Sequence, residues 1–331
     1  MVTVFYGETA DDVWKQATEE LLSYMAEMVD SRQGKTCELL HTVFSISNPR
    51  EKWVTSREPP ISIAFALAEI IWILAGSNES SIINFWNPSL TKYAGEGETY
   101  HGAYGYRMLK KFGIDQLERA YYTLKNNPQS RQAVILLWNP TDDLPDINGI
   151  PVDPDIPCNV CSLIKIRDFK LEWTQIIRSN DIFRGVPYNF IQFTSIQEIL
   201  AGWLELEVGS YTQFSDSLHL YETDKEILSV VGRNYEQNHD NLMLQKKQSD
   251  AVLGEIFSRM KAISAGDMNE DKLRWMANLN SGNEAYDNIM LIIVAYAARK
   301  LGYKDLKCYF TNNCTNTLYR QMWVDWENHR Q

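Results

Sequence analysis

From Ile61 to Ala75 the chain reads ISIAFALAEIIWILA, apolar on every side at helical length. A helix without a polar face has to be enclosed all round. Its fifteen residues fall short of the about 20 needed to cross a bilayer, Glu69 interrupts it, and Gly76 ends it. The segment therefore predicts a helix in the middle of a large soluble core. A composition of 44% hydrophobic and 23% charged residues over 331 positions supplies such a core. The length suits either two domains of about 150 residues or one α/β or α+β domain of up to about 250 with an added segment.

Charge narrows the partners. Lys and Arg number 32 against 43 Asp and Glu, a formal net charge of −11, and the basic residues are scattered singly. A nucleic-acid coat needs a clustered basic face, so no nucleic-acid partner is expected, whereas a small anion remains open. The N-terminus lacks the basic start, apolar stretch and small-residue cleavage site of a signal peptide. Five cysteines, an odd number, then read as reduced thiols in a cytoplasmic protein. No membrane partner is expected.

Periodicity parses the rest. Asp11–Val29 has apolar residues at helical spacing and carboxylates in its first turn, which predicts an amphipathic helix. A polar loop, Ser31–Lys35, leads to an alternating strand at His41–Ile46. Asp115–Lys125 reads as a second amphipathic helix stopped by Asn126-Asn127-Pro128, and Ala133–Trp138 as a strand buried on both faces. A proline-rich loop spans Pro140–Pro157. Two strands follow, Cys158–Ile166 and Lys170–Ile177, around Arg167-Asp168-Phe169. Ile191–Leu204 is helical, as is most of the chain from Thr223, including Asp287–Lys300. Strands early and helices late define an α+β chain.

Several residues could carry chemistry. Cys158, at the start of a strand after Pro157, is a nucleophile, a buried structural thiol, or half of a C-x-x-C pair with Cys161. Zinc would need further ligands, and Cys308 and Cys314 lie about 150 residues away at an irregular spacing. Glu69, deep in an apolar helix, should have a raised pKa; it is an acid/base candidate or a glutamate satisfied by backbone or an arginine. Ser31-Arg32, Ser130-Arg131 and Arg178-Ser179 pair guanidinium with hydroxyl at loop edges, which suits a phosphate monoester or simply surface ion pairs.

Taken in order, Pro157-Cys158, Arg178-Ser179-Asn180-Asp181, Gly185-Val186-Pro187-Tyr188-Asn189 and His219-Leu220-Tyr221 resemble the thymidylate synthase family, which includes the pyrimidine nucleotide hydroxymethylases. The likeness extends through Arg32, the Glu69 helix, Tyr104-Gly105, Ser130-Arg131 and Trp138-Asn139, covering about residues 11 to 224. It implies a mixed β-sheet packed with helices, a catalytic core at 1–224, and a helical C-terminal extension of the same domain at 225–331. It also implies one-carbon transfer to a pyrimidine nucleoside monophosphate, with 5,10-methylenetetrahydrofolate as co-substrate and no metal.

By the resemblance, Cys158 adds to C6 of the pyrimidine and Glu69 manages protons. Tyr104 joins the catalytic group, and Asn189 reads the base edge. Arg32, Arg178 and Ser179 hold the phosphate, His219 and Tyr221 the 3′-hydroxyl, and Asp181 the folate pterin. Arg131 reaches the phosphate of the neighbouring subunit, which makes the protein a homodimer. The chain departs from the family's pattern at Gln132, where a second arginine is usual, at Asn159, where a histidine follows the nucleophile, and at Pro59-Pro60, in place of a basic pair.

The ring that shields the one-carbon intermediate in methylating members is matched only by Tyr93, and the apolar closing tail has no counterpart in Asp325–Gln331. An open site admits water, so hydroxymethylation is favoured over methylation. An amide at Asn189 matches O4 and N3–H of uracil, and Ser179 keeps the usual hydroxyl, so dUMP is favoured. The alternatives are thymidylate synthase proper, a dCMP or CMP hydroxymethylase, and an inactive relative that binds nucleotide or RNA. The joint retention of Cys158, Glu69, Asn189 and Asp181 speaks against the last.

Overall fold

The structure is a computed structural model and describes residues 2–23, 28–31 and 34–330. The strands are β1 (Thr3–Gly7), β2 (Val29–Ser31), β3 (Gly34–Ile46), β4 (Arg57–Glu58), β5 (Val134–Leu136), β6 (Asn159–Arg167), β7 (Lys170–Asp181), β8 (Glu207–Tyr221) and β9 (Ser229–Val230). Seven form one sheet in the order β1-β3-β8-β7-β6-β5, with β2 paired to β3; β4 and β9 form a separate pair. The sheet is mixed: β1 runs parallel to β3 and β7 to β8, while β3–β8, β6–β7 and β5–β6 are antiparallel.

Alternation sorts the two faces. One cross-strand row, Ile135, Ser162, Gln175, Gln213, Phe44 and Phe5, is buried throughout. Helix Val186–Leu204 packs on β7 and β8, and helix Ile63–Leu74 packs on that helix in turn. Helices Lys246–Ser264, Glu284–Lys300 and Thr317–His329 close over Ile63–Leu74. The apolar run is thus the central rod of the core, with Ile63, Phe65, Leu67, Ile70, Ile71 and Ile73 all buried. Each such side chain contributes about 1.5–3 kcal/mol on burial. Ser62 caps the rod by accepting from Phe65 N–H. Trp86, just after the short helix Ser80–Asn84, donates its indole N–H to Ile293 O of helix Glu284–Lys300 at 3.3 Å.

Four expectations need correction. The first helix is Ala10–Ser23, and Val29 belongs to β2. Ser31–Lys35 is not a plain loop, because β2 pairs antiparallel with β3, Asp30 opposite Lys35 and Ser31 opposite Gly34. The strand expected at His41–Ile46 begins at Gly34. Ala133–Trp138 is a three-residue edge strand exposed at Val134 and Leu136; a row of apolar residues on an edge strand reads like a central one when only the other face is covered.

Candidate active site

The end of β7, the end of β8 and the start of β6 meet at one edge of the sheet. Cys158 immediately precedes β6, and its carbonyl accepts from Arg178 N–H at 2.9 Å. The Arg178 side chain folds back on the same loop, donating from Nε to Pro157 O at 3.0 Å and from Nη2 to Ile156 O at 3.2 Å. Further back, Asp155 accepts from Gly102 N–H at 2.7 Å. Asp143 takes two bonds of 2.7 Å from the buried Arg107. The proline-rich segment, which opens with a short helix at Pro140–Asp143 rather than being loop throughout, is thereby fixed, and the cysteine with it.

Glu69 rises from the central helix toward the same place. It is surrounded by protein yet keeps a small accessible edge. Its partner is an amide, Gln192 Nε2 at 2.6 Å, rather than a backbone group or an arginine. Burial raises its carboxyl to about 7, and the Gln192 bond opposes only part of that shift. Gln192 Oε1 has no hydrogen-bond partner among the described residues.

Tyr104 stands between Glu69 and Cys158. Burial raises its phenol pKa, the proximity of Cys158 adds to the rise, and a hydrogen bond with Asn159 opposes it. Its position depends on Gly105, where a Cβ would lie 2.0 Å from Ile73 O on the central helix; only glycine allows that approach. Asn189, on the first turn of helix Val186–Leu204, is 6% exposed. It accepts from Asn159 Nδ2 at 3.3 Å and donates to Asn180 Oδ1 at 3.0 Å.

Ser179, Asn180 and Asp181 end β7 opposite Ser217, Leu218 and His219 of β8. Asp181 Oδ1 accepts from the N–H groups of Phe183 and Arg184 at 2.8 and 2.9 Å. Burial raises the Asp181 carboxyl and lowers the His219 imidazole, and each opposes the other's shift. His219 and Tyr221 are edge to face at 5.3 Å. Tyr221 is also hydrogen-bonded to Ser31 and close enough to Cys158 to feel its charge. Arg32, next to Ser31, lies outside the described residues.

Arg131 is the one described candidate left out of this cluster. It is exposed, and the β5–β6 register, Val134 opposite Leu163, carries it to the level of Ile166. That is eight residues along β6 from Cys158, or about 25 Å.

Two groups at the site were not singled out from sequence. Arg57, two residues before the position where the expected basic pair is missing, is buried with its guanidinium 4.0 Å over the Phe183 ring and is hydrogen-bonded to Tyr188. Its Nε has no hydrogen-bond partner among the described residues. Arg184 bridges the mouth, donating to Tyr93 Oη at 2.8 Å and to Asp224 at 2.7 Å, with its charge over the Tyr221 ring at 5.3 Å. Arg57 lies in the two-residue strand β4 and Arg184 in a turn, and a single arginine with no patterned neighbours carries no signal in sequence. A wide groove of about 900 Å³ between Tyr121, Phe169, Trp203 and Lys246 is separate, at the other end of helix Val186–Leu204. Among the described residues no group of three His, Cys, Asp or Glu converges, so Cys158 and Cys161 gain no further ligand there.

Cys158, Glu69, Tyr104 and Asn189 thus share one neighbourhood, with Tyr104 near both Cys158 and Glu69 and Asn159 joined to Asn189. The thymidylate synthase family model matches residues 12–260, and the chain belongs to that family. It is 33% identical over 227 residues to the deoxyuridylate hydroxymethyltransferase of Bacillus phage SP01, covering 63% of this chain and 58% of the relative. The protein of the same name from Pseudomonas phage M6 is 31% identical over 213 residues, with the same coverage. A putative thymidylate synthase of Methanothermobacter thermautotrophicus is 29% identical over 230 residues, covering 66% of this chain and 94% of the relative. The chain thus spans a little under three fifths of the length of the phage relatives. No helix among the described residues is long and apolar enough to cross a membrane.

Proposed function

We propose that this protein transfers a one-carbon unit from 5,10-methylenetetrahydrofolate to C5 of dUMP, and that the product carries hydroxymethyl. The observation that carries the reading is the proximity of Cys158, Glu69 and the Asn189 amide, with Tyr104 near the first two and Asn159, next to Cys158, joined to Asn189. In this reading Cys158 sulfur adds to C6 of the pyrimidine, and electron density moves to C5, the carbon that accepts the one-carbon unit. Arg178 fixes the loop that aims the sulfur and lends it a positive field. Glu69, titrating near the working pH, gives and takes protons on the ring and on the leaving amine; Tyr104 orders the space between the two. Asn189 reads the base edge, Ser179 with Arg178 and Arg32 the phosphate, and His219 with Tyr221 the sugar hydroxyl. The folate supplies carbon at the oxidation level of formaldehyde. Asp181 offers an acceptor for the folate pterin.

Two findings support hydroxymethyl over methyl. The SP01 and M6 relatives are named for hydroxymethyl transfer to deoxyuridylate, although thymidylate synthases, such as that of Clostridium beijerinckii at 27% identity, also match. Tyr93, the nearest thing to a shielding ring, is exposed, with its hydroxyl accepting from Arg184, which supports a site open to water. Mass spectrometry of products from dUMP, dCMP, UMP and CMP with methylenetetrahydrofolate tests the reading. Hydroxymethyl-dUMP is expected; methyl-dUMP would overturn the product assignment, and product from a cytidine nucleotide alone would overturn the base assignment.

We also infer a homodimer in a reducing, cytoplasmic setting. The face of the sheet away from the helices carries an apolar row from edge to edge: Leu136, Cys161, Ile176, Phe214, Val43 and Val4, none of it fully buried. A second copy of this face would cover the row, and Arg131, remote from its own cleft, would serve its partner's. Residues 225–331 read as an extension of the same domain, because helix Glu284–Lys300 packs on Ile63–Leu74.

A further inference from the structure

Behind Asn189 lies a run of buried amides that the reaction does not use. Trp173 Nε1 donates to Gln175 Oε1 at 3.1 Å, and Ser162 Oγ donates to the same oxygen at 2.6 Å. Gln175 Nε2 donates to Asn159 Oδ1 at 2.9 Å. Asn159 Nδ2 donates to Asn189 Oδ1, Asn189 Nδ2 to Asn180 Oδ1, and Asn180 Nδ2 to Ser215 Oγ at 3.0 Å. Trp173, Gln175, Asn159, Asn180 and Ser215 are all 1% exposed or less.

An amide can be turned end for end at little steric cost, so a row of amides has two possible polarities. What removes the choice is the indole at its head. An indole N–H only donates, whereas a hydroxyl adapts to either sense. The Gln175 atom facing Trp173 must therefore be the carbonyl oxygen, and every bond down the line follows in one sense. Reversal would bring the Gln175 NH₂ against the indole N–H in a dry interior, leaving donors unpaired.

We propose that Trp173, acting through Gln175 and Asn159, fixes which end of the Asn189 amide meets the substrate, and so makes the site select a uracil ring over a cytosine ring. This rests on the reading of Asn189 given above. After its two internal bonds, Asn189 keeps one oxygen lone pair and one N–H. Uracil offers N3–H and O4, a donor and an acceptor; cytosine offers the opposite pair, N3 and the N4 amino group. Turning the Asn189 amide over would exchange one preference for the other with no change at position 189. Trp173, Gln175 and Asn159 are positioning residues in this account, and the asparagine that stands where a histidine is usual is a link in the line.

The test is equilibrium binding of dUMP and of dCMP, measured by titration calorimetry, to the wild-type protein and to Trp173→Phe and Gln175→Met. Far-UV circular dichroism selects the variants that fold. Trp173→Phe removes the one-way donor and leaves Gln175 free to turn. Gln175→Met presents a weak acceptor in place of the N–H and draws Asn159 round. The wild-type protein is expected to prefer dUMP, and the ratio of the two dissociation constants is expected to move toward dCMP at least fivefold in either variant. A purely structural role would weaken both nucleotides alike, so an unchanged ratio in the folded variants, beside a wild type that prefers dUMP, overturns this inference alone. A wild type that binds neither nucleotide overturns the functional reading, and this inference with it.

Discussion

Glu69 shows how one residue can be costly to the fold and useful to the site. Its carboxyl titrates near 4.5 when unfolded and about 7 in place. Between those values the native state keeps a proton that the unfolded chain has lost, so stability falls as pH rises through this window and the full penalty stands above it. The penalty is on the order of 3 kcal/mol. Glu69→Gln should therefore raise the denaturant midpoint at pH 8 and leave it nearly unchanged at pH 4.5. The same variant should lose about 10²- to 10⁴-fold in turnover while still binding nucleotide, as steady-state rates and calorimetry would show. An equal midpoint shift at both pH values would mean that packing, not ionisation, sets the effect. The expectation of a raised pKa came from sequence alone, since a lone carboxylate among Ala, Ile and Trp has nowhere to be solvated. Its amide partner did not, because Gln192 lies 123 positions away.

At the scale of elements, the apolar rod and the cysteine strand were legible because each is decided locally, by periodicity or by proline punctuation. What was not legible depends on pairing. The β2–β3 pair hides in a polar stretch, and the exposed faces of Val134 and Leu136 depend on what covers the sheet. The line of amides joins four separate segments that no periodicity connects. Two element-level predictions follow from backbone geometry. Gly105→Ala would drive a methyl into Ile73 O and should cost about 3 kcal/mol or more, lowering Tm and displacing Tyr104. The β6–β7 turn places Asp168 and Phe169 at φ of 48° and 60°, with Phe169 84% exposed. A bulky residue there is strained by about 1–2 kcal/mol, so Phe169→Gly should raise Tm, with a net gain of about 0.5–1 kcal/mol once glycine's added chain entropy is counted; a lower Tm would show that the ring packs in the neighbouring groove.

For the whole molecule, the sheet separates two tasks. One face carries the core and, at one end of its strands, the candidate site; the other carries the apolar row. Sedimentation equilibrium should give a dimer, and a charge in the middle of the row, Ile176→Lys, should shift it to monomer with loss of nucleotide affinity as Arg131 leaves its partner's cleft. A wild-type monomer that turns over normally would contradict this arrangement. If Cys158 activates C5 of a bound pyrimidine, deuterium is released from [5-²H]dUMP in the presence of methylenetetrahydrofolate. Label should leave C5 with the wild-type protein and stay in place, at least a thousandfold more slowly released, with Cys158→Ala that still binds dUMP. Release by Cys158→Ala at the wild-type rate, or none by a wild-type protein saturated with dUMP, would contradict the account.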